Sequence, residues 1–412
     1  MQHVIIGNGP AGVIAAETLR KLAPEAEITL IGDEAEPPYS RMAIPYLLAG
    51  SIDEQGTYLR KSPDHFASLS ITLLRGRVDK LDSKAHQLRL ADGKTLTYDR
   101  LLIASGSRPV RPPGFDLPAV QTCWTMEDAR RIMARAVPGA RVLQIGAGFI
   151  GCILLEALVK RGVELTVVEM GDRMVPRMMT EKAGALIRRW VESKGVKVHV
   201  NTQVSGLREQ AGAVVAKLST GEEIVTDLVI CAAGVKPKLD FIAGSGIAVG
   251  QGIRVDLSGE SSIPDIYAAG DVAEMVDLHS GQPVVNAIQP NAADQARVAA
   301  SNMAGRSASV SGSLAINVLD TLGLVSTSFG QWWGGKGSEG VELVDEKNYR
   351  YLSLKFEGEV LIGATSLGWT DHVGALRGMI QGRVRLGAWK QRLLDDPTQF
   401  MAAYLGAAQK AA

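Results

Sequence analysis

One alternation of apolar and polar positions occurs twice in this chain. A short apolar run (Val4–Ile6; Val142–Ile145) leads through a glycine-rich turn into a helix-like stretch. A second apolar run follows (Ile28–Ile31; Leu165–Val168). Short, uninterrupted apolar runs are what strands covered on both faces look like, so the pattern predicts two βαβ units on parallel sheets. Further strands are predicted at Ile71–Leu74, Gln87–Leu90, Thr95–Tyr98 and Arg100–Ala104, the last ending in the turn Ser105–Pro109. Glu127–Ala136 and Glu181–Lys194 carry helical periodicity, and Leu228–Ala232 reads as a strand closed by Ala233 and Gly234. Asp265–Ala273, DIYAAGDVA, reads as strand, glycine turn and acid. Asn291–Met303 predicts a helix with Pro290 in its first turn, where a missing N–H costs little. A proline-rich stretch, Pro109–Pro118, marks a boundary. From about Ser313 the order changes to alternating strands (Tyr349–Phe356; Val360–Ala364) and a helical tail, which predicts a third domain.

The glycine turns are GNGPAG, Gly7–Gly12, and GAGFIG, Gly146–Gly151. A lone GxGxxG is weak evidence, but here each lies between a strand and a helix. In that setting the first glycine permits the tight turn, and the second lets backbone N–H groups approach a pyrophosphate. The third lets helix and strand pack closely, with the helix N-terminus facing the phosphates. Two such units imply two dinucleotides, and a protein holding two usually passes electrons between them.

Composition narrows the chemistry. At 412 residues, with 46% hydrophobic residues and 45 glycines, the chain has length for two or three α/β domains. Lysine plus arginine equals aspartate plus glutamate at 44 each, so nothing pulls the whole chain toward nucleic acid or an anionic membrane. No apolar run reaches the roughly 18–20 residues of a membrane span. The first strand begins almost at Met1, leaving no room for a cleavable signal, and a cytoplasmic location is expected. Cys123, Cys152 and Cys231 are too widely spaced for a thiol redox motif and are expected to be buried small residues. Of the three, Cys152 lies at a helix start, a position that favours a thiolate. Six scattered histidines give no metal-ligand spacing, and no nucleophile motif appears, so redox chemistry must come from a bound organic cofactor.

Five blocks in order carry a resemblance over essentially the whole length. They are GNGPAG with IGDEAEPPYSR, LLIASGSRP, GAGFIGC with VVEMGDRMVPRM, LVICAAGVKPKLDF and IYAAGDVAE. The chain resembles the FAD- and NAD(P)-dependent branch of the pyridine-nucleotide–disulfide oxidoreductases. Within it, the chain is similar to ferredoxin and rubredoxin reductases, the flavin part of NADH nitrite reductases, and coenzyme A disulfide reductases. The implied fold is α/β, with two Rossmann-like dinucleotide-binding domains and a C-terminal α+β domain. Residues 1–112 and 241–312 would form an FAD domain interrupted by an NAD domain at 113–240, with an interface or dimerisation domain at 313–412.

The resemblance implies site residues. Gly7, Gly9, Pro10, Ala11 and Gly12 would lie on the FAD pyrophosphate. Aligning ITLIGDE with LTVVEMG sets Gly32 against Glu169, so the ribose acceptor of the first unit moves to Asp33 or Glu34. Arg41 would pair with a phosphate or pack over the adenine, with a surface salt bridge as the alternative. Gly270 and Asp271 match the block whose acid hydrogen-bonds the ribityl chain. The helix near Pro290 would aim its positive end at the flavin edge where charge develops on reduction. Ala104 and Gly106 match the crossover between domains. In the second unit Gly146, Gly148, Phe149, Ile150 and Gly151 would hold NAD(H). Glu169 would accept from the adenosine hydroxyls and repel a 2′-phosphate, although Arg173 four residues on tempers that discrimination.

Three departures qualify the resemblance. Val13–Leu22 lacks the CxxxxC of disulfide-bearing relatives, and Met42 stands where single-cysteine relatives carry their redox thiol. Thiol-based reduction is therefore excluded. Tyr46 replaces the lysine that ferredoxin reductases place beside the flavin. Ile153 replaces the acid of GxGxxGxE, with Glu156 one turn on as a partial substitute or a plain surface residue. No catalytic side chain is named. The favoured expectation is an enzyme taking hydride from NADH onto FAD and passing electrons to a carrier protein. The alternatives are an NADH oxidase, a flavoprotein subunit of a larger reductase or dehydrogenase, and a redox-sensing protein. Trp332, Trp333, Trp369 and Trp389 fall in the C-terminal region, which relatives use to dimerise or to dock partners. Within it, Leu376, Ile380, Val384 and Ala388 would form one helical row. Much of the basic set Arg377, Arg383, Arg385, Lys390 and Arg392 would lie away from that row, as a docking face for an acidic carrier, with a solvated basic face or a homodimer surface as the alternatives.

Overall fold

A computed structural model describes residues 1–411 of the chain. The chain folds into two compact units. The first comprises Met1–Ala43, Ile52–Arg108 and Val235–Leu314; the second comprises Ile44–Ser51, Pro109–Gly234 and the chain from Ala315.

The first unit is built on a parallel sheet of five strands, in spatial order Ile266–Ala268, Arg100–Ile103, Gln2–Ile6, Glu27–Gly32 and Ile71–Arg75. Ile5, Leu30 and Leu102 are fully buried on one face, as uninterrupted apolar runs require. Helices Pro10–Leu22 and Gln289–Met303 cover that face. Their contact is lined by Ala15, Ala16, Ala296, Ala299 and Ala300, and side chains this small let the two helices pass closely. The opposite face packs on Leu81, Leu88, Tyr98, Phe241 and Ile253. Leu81 belongs to a strand that periodicity did not predict, Val78–Asp82, which pairs with Gln87–Leu90. Its three polar residues out of five hide it from a hydrophobicity pattern.

The second unit repeats the design. Strands Lys197–His199, Glu164–Val168, Arg141–Ile145, Leu228–Cys231 and Val120–Gln121 form a parallel sheet in that order. Helix Met126–Arg135 starts at a capping box, in which Thr125 accepts from the Asp128 N–H and the Asp128 side chain reaches back. The short helix Ile44–Leu48 belongs to this unit, and Arg161 fixes it by donating to the carbonyls of Leu48, Met133 and Ala136. The last part of the unit is an antiparallel sheet ordered Ile316–Thr321, Leu324–Gly330, Val360–Leu367, Arg350–Glu357 and Glu339–Asp345.

The expected single helix through Leu376–Leu393 is corrected. Helix Val373–Gln381 ends at Gly382, Arg383 turns the chain at φ +48°, and a second helix runs Ala388–Asp395. Leu376 and Ile380 are buried while Ala388 is exposed, so the four residues do not form one row.

Candidate functional site

The two glycine turns share one pattern of bonding. Gly7 and Gly146 each donate a 2.8 Å hydrogen bond to the last carbonyl of the second strand's apolar run, Ile31 and Val168 respectively. Their φ values of +106° and +98° favour glycine. A Cβ there would lie 2.1 Å from the Ala104 oxygen in one unit and 2.4 Å from the Ala232 oxygen in the other. Gly12 and Gly151 face the carbonyls of Gly7 and Gly146, at 1.8 and 2.4 Å from such a Cβ. The protein's own packing therefore demands these four glycines.

Gly9 and Gly148 are different. They have φ −73° and −75°, and a Cβ on either would meet no protein atom within 4 Å. Neither strain nor packing requires glycine there, whereas close approach of phosphates to the backbone does. Helices Pro10–Leu22 and Phe149–Lys160 begin on these residues with no side-chain cap, and Gln289–Met303 begins uncapped as well. Helices Met126–Arg135 and Glu181–Ser193 by contrast are capped by Thr125 and Thr180. Uncapped N–H groups and the positive helix end suit anionic phosphates, so both turns fit a dinucleotide. Pro10 and Ala11 make the first helix's opening turn, as Phe149 and Ile150 do in the other unit.

Beside the first turn lies a cavity of about 350 Å³, lined among others by Gly7, Gly32, Asp33, Arg77, Ser105 and Lys238. Of the two acids left open by sequence, only Asp33 lines it, with Oδ2 3.5 Å from Lys238 Nζ. Glu34 is used elsewhere: Oε1 pairs with Arg41 Nη2 at 2.5 Å and Oε2 accepts from the Tyr39 hydroxyl at 2.6 Å. Arg41, paired with Glu34, lies also 5.4 Å from the Tyr39 ring centre.

Asp271 follows Gly270, whose N–H donates to Gln295 Oε1 at 2.9 Å. Burial raises the Asp271 carboxyl above its ordinary range, opposed by a 2.7 Å hydrogen bond from Ser107 Oγ and by the nearby Arg41 charge. Ala104 closes its strand by donating to the Ile6 carbonyl at 2.7 Å, and the Gly106 carbonyl accepts from the Lys238 N–H at 2.9 Å.

In the second unit Glu169 is buried. Oε2 accepts from the Ala147 N–H at 2.6 Å and Oε1 from the Gly171 N–H at 2.7 Å. It thus braces the turn as well as closing its strand. Arg173 bonds Asp172 Oδ1 at 2.7 Å and the Met179 carbonyl at 3.1 Å, which turns its guanidinium into its own loop. Glu156 pairs with Lys160 at 2.5 Å on the helix surface, the plain reading of that residue.

Cys152 is fully buried, as expected of a small apolar residue, and its place at a helix start does not make it a thiolate. Its Sγ lies 3.4 Å from the Ala147 carbonyl, and burial pushes the thiol well above its ordinary range. Desolvation raises the Cys123 thiol too, although that residue is half-buried rather than buried as expected. Desolvation exceeds any gain from the helix end. Met42 and Tyr46 are exposed. Sequence reasoning missed Ser107 and Lys238, whose partners Asp271 and Asp33 lie far away in the chain, and Arg77, which lines the cavity but belongs to no motif.

The model of the pyridine nucleotide-disulphide oxidoreductase family matches residues 1–300. The chain is 29% identical over 402 residues to the NADH-dependent phenylglyoxylate dehydrogenase subunit epsilon of Aromatoleum evansii, covering 96% of this chain and 95% of that one. It is 33% identical over 311 residues to the benzene 1,2-dioxygenase system ferredoxin–NAD(+) reductase subunit of Pseudomonas putida, covering 74% and 75%. Among solved structures it resembles the covalent putidaredoxin reductase–putidaredoxin complex, with a TM-score of 0.89, 25% identity and 98% of each chain covered. The chain belongs to the pyridine nucleotide-disulphide oxidoreductase family, whose enzymes use FAD and NAD(H).

Proposed function

We propose that this chain moves electrons from NADH, through FAD, to a small electron-carrier protein. The matched pair of turns carries the reading, since each has a glycine that the protein's own packing does not require, followed by an uncapped helix. FAD, when bound, supplies the chemistry, accepting a hydride and releasing electrons singly. Gly9, Ala11 and Gly12 would offer backbone N–H groups to its phosphates. Gly7, whose N–H is held by the Ile31 carbonyl, shapes the turn, and Pro10, which has no N–H, opens the helix. Asp33 would accept from the adenosine ribose. Asp271, held by Ser107, accepts from the ribityl chain. The uncapped helix at Pro290 presents its positive end to the flavin. Gly146, Gly148 and Gly151 hold NADH, and Glu169 excludes a 2′-phosphate by like charge. Residues 1–112 and 241–312 serve FAD, 113–240 serve NADH and 313–412 serve partners or a second copy. The NADH pool and the free cysteines suit the cytoplasm.

The relatives named as ferredoxin– and rubredoxin–NAD(+) reductases support a carrier protein as acceptor. A second reading has its own observation. The subunit epsilon relative matches along nearly its whole length, which favours a flavoprotein subunit that feeds or drains a larger dehydrogenase. Anaerobic mixing with NADH tests the core of both: flavin absorbance near 450 nm should bleach in a single fast phase. A protein that binds no flavin, or whose flavin NADH leaves oxidised, overturns the reading. Co-purification of partner subunits separates the second reading from the first.

A further inference from the structure

The two turns differ in one respect that their common bonding makes plain. Ile6 pairs with Ile31 in the first unit and Ile145 with Val168 in the second, so Gly32 and Glu169 are counterparts, as are Asn8 and Ala147. In the second unit a small residue on the turn faces a long acid at the strand end. In the first, a longer polar residue on the turn faces a glycine. A Cβ built on Gly32 would lie 2.3 Å from Asn8 Nδ2, 2.4 Å from its Cγ and 2.8 Å from its Oδ1. The Asn8 carboxamide thus fills the space where a side chain at position 32 would begin. It makes no hydrogen bond among the described residues and is half-buried. Its chain neighbour Gly7 and its contact Gly32 both line the cavity beside the turn, although Asn8 itself does not.

We infer that the Asn8 carboxamide hydrogen-bonds the adenosine half of the dinucleotide held by the first turn, and that residue 32 is glycine to seat it. The inference rests on the reading of that turn as the FAD site. An amide offers both donor and acceptor to vicinal hydroxyls. It also adds no charge beside Asp33, where a second carboxylate would disfavour ionisation of both.

The test measures binding rather than turnover, using flavin-stripped full-length protein titrated with FAD and, separately, with FMN, which lacks the adenosine. Asn8→Ala should weaken FAD binding between about three- and tenfold, as expected for one lost hydrogen bond, and leave FMN binding unchanged. Gly32→Ala should weaken FAD binding in the Asn8 background by displacing the amide. It should add nothing in the Asn8→Ala background, where the space has been cleared. Wild-type FAD affinity in Asn8→Ala, or an equal Gly32→Ala loss in both backgrounds, overturns the inference. A wild-type protein that fails to bind FAD at all instead overturns the reading of the turn.

Discussion

Ser107 Oγ donates a 2.7 Å hydrogen bond to Asp271 Oδ2, joining residues 164 apart in the chain. One carboxylate oxygen is thereby fixed by the protein; in the proposed FAD site the other would accept from a ligand hydroxyl.

Asp271→Ala should therefore lower FAD occupancy by the loss of a charge-assisted hydrogen bond of roughly 1.5–3 kcal/mol, about tenfold or more in affinity. Flavin-free protein should also show a pH signature. Burial raises this carboxyl, so the folded state holds the proton more tightly than the unfolded chain. The associated stability is present at low pH and is lost as pH rises from the unfolded value through the folded one. Asp271→Asn, which has no charge to desolvate, should gain thermal stability over wild type near pH 7, and the gain should vanish toward about pH 3.5. Ser107→Ala should destabilise the Asp271 protein more at pH 7 than at low pH. Melting differences that ignore pH would remove burial of this charge as the cause.

The glycine turns, most strands and the uncapped helices were legible because they depend on local sequence: apolar runs, GxGxxG, and proline at a helix start. What was not legible depends on distant partners. Nothing near Glu169 announces that its two oxygens are bound by Ala147 and Gly171, because those bonds exist only once the turn has folded around the strand end. Sequence was equally silent on the partners that separate Asp33 from Glu34, since only the fold brings Arg41 and Tyr39 onto Glu34.

That bracing role changes how Glu169 can be probed. Arginine at this position would strip two backbone N–H groups of their acceptor as well as reverse the charge. Glu169→Gln is the cleaner variant, since its single carbonyl oxygen can accept from only one of the two N–H groups. It should cost about 1–3 kcal/mol of stability, read as a lower urea midpoint. Wild type should prefer NADH to NADPH by at least about tenfold, and Glu169→Gln should narrow that ratio. Equal flavin reduction by both donors in wild type would disconnect Glu169 from donor choice.

Thiols should prove inert. Cys152 and Cys123 sit in surroundings that hold them protonated, so iodoacetamide at about pH 8 should leave both unmodified in the native protein and label them after denaturation. Replacing Cys123, Cys152 and Cys231 together by alanine should leave flavin reduction by NADH within about twofold of wild type, a change of under about 0.5 kcal/mol in the barrier. Loss of that step in a well-folded single variant would reinstate thiol chemistry.

The basic C-terminal segment should steer a carrier less than its sequence suggests. Arg385 pairs with Glu359 at 3.0 Å and Lys390 with Glu339 at 2.9 Å, so acids from outside the segment answer cations that looked unopposed. Arg392 lies over the Trp389 ring, 4.6 Å from its centre, and Arg377 donates to Gln381. Exposed pairs of this kind add little stability, roughly 0–1 kcal/mol each, but they flatten the local potential that would draw in an acidic partner. Reversing Arg383 and Arg385 to glutamate should consequently slow carrier reduction by less than about threefold at roughly 0.15 M salt, because that field is already weak and screened within about 8 Å. Flavin reduction by NADH should be unchanged. A tenfold or larger loss that high salt abolishes in wild type would make this segment the docking face after all.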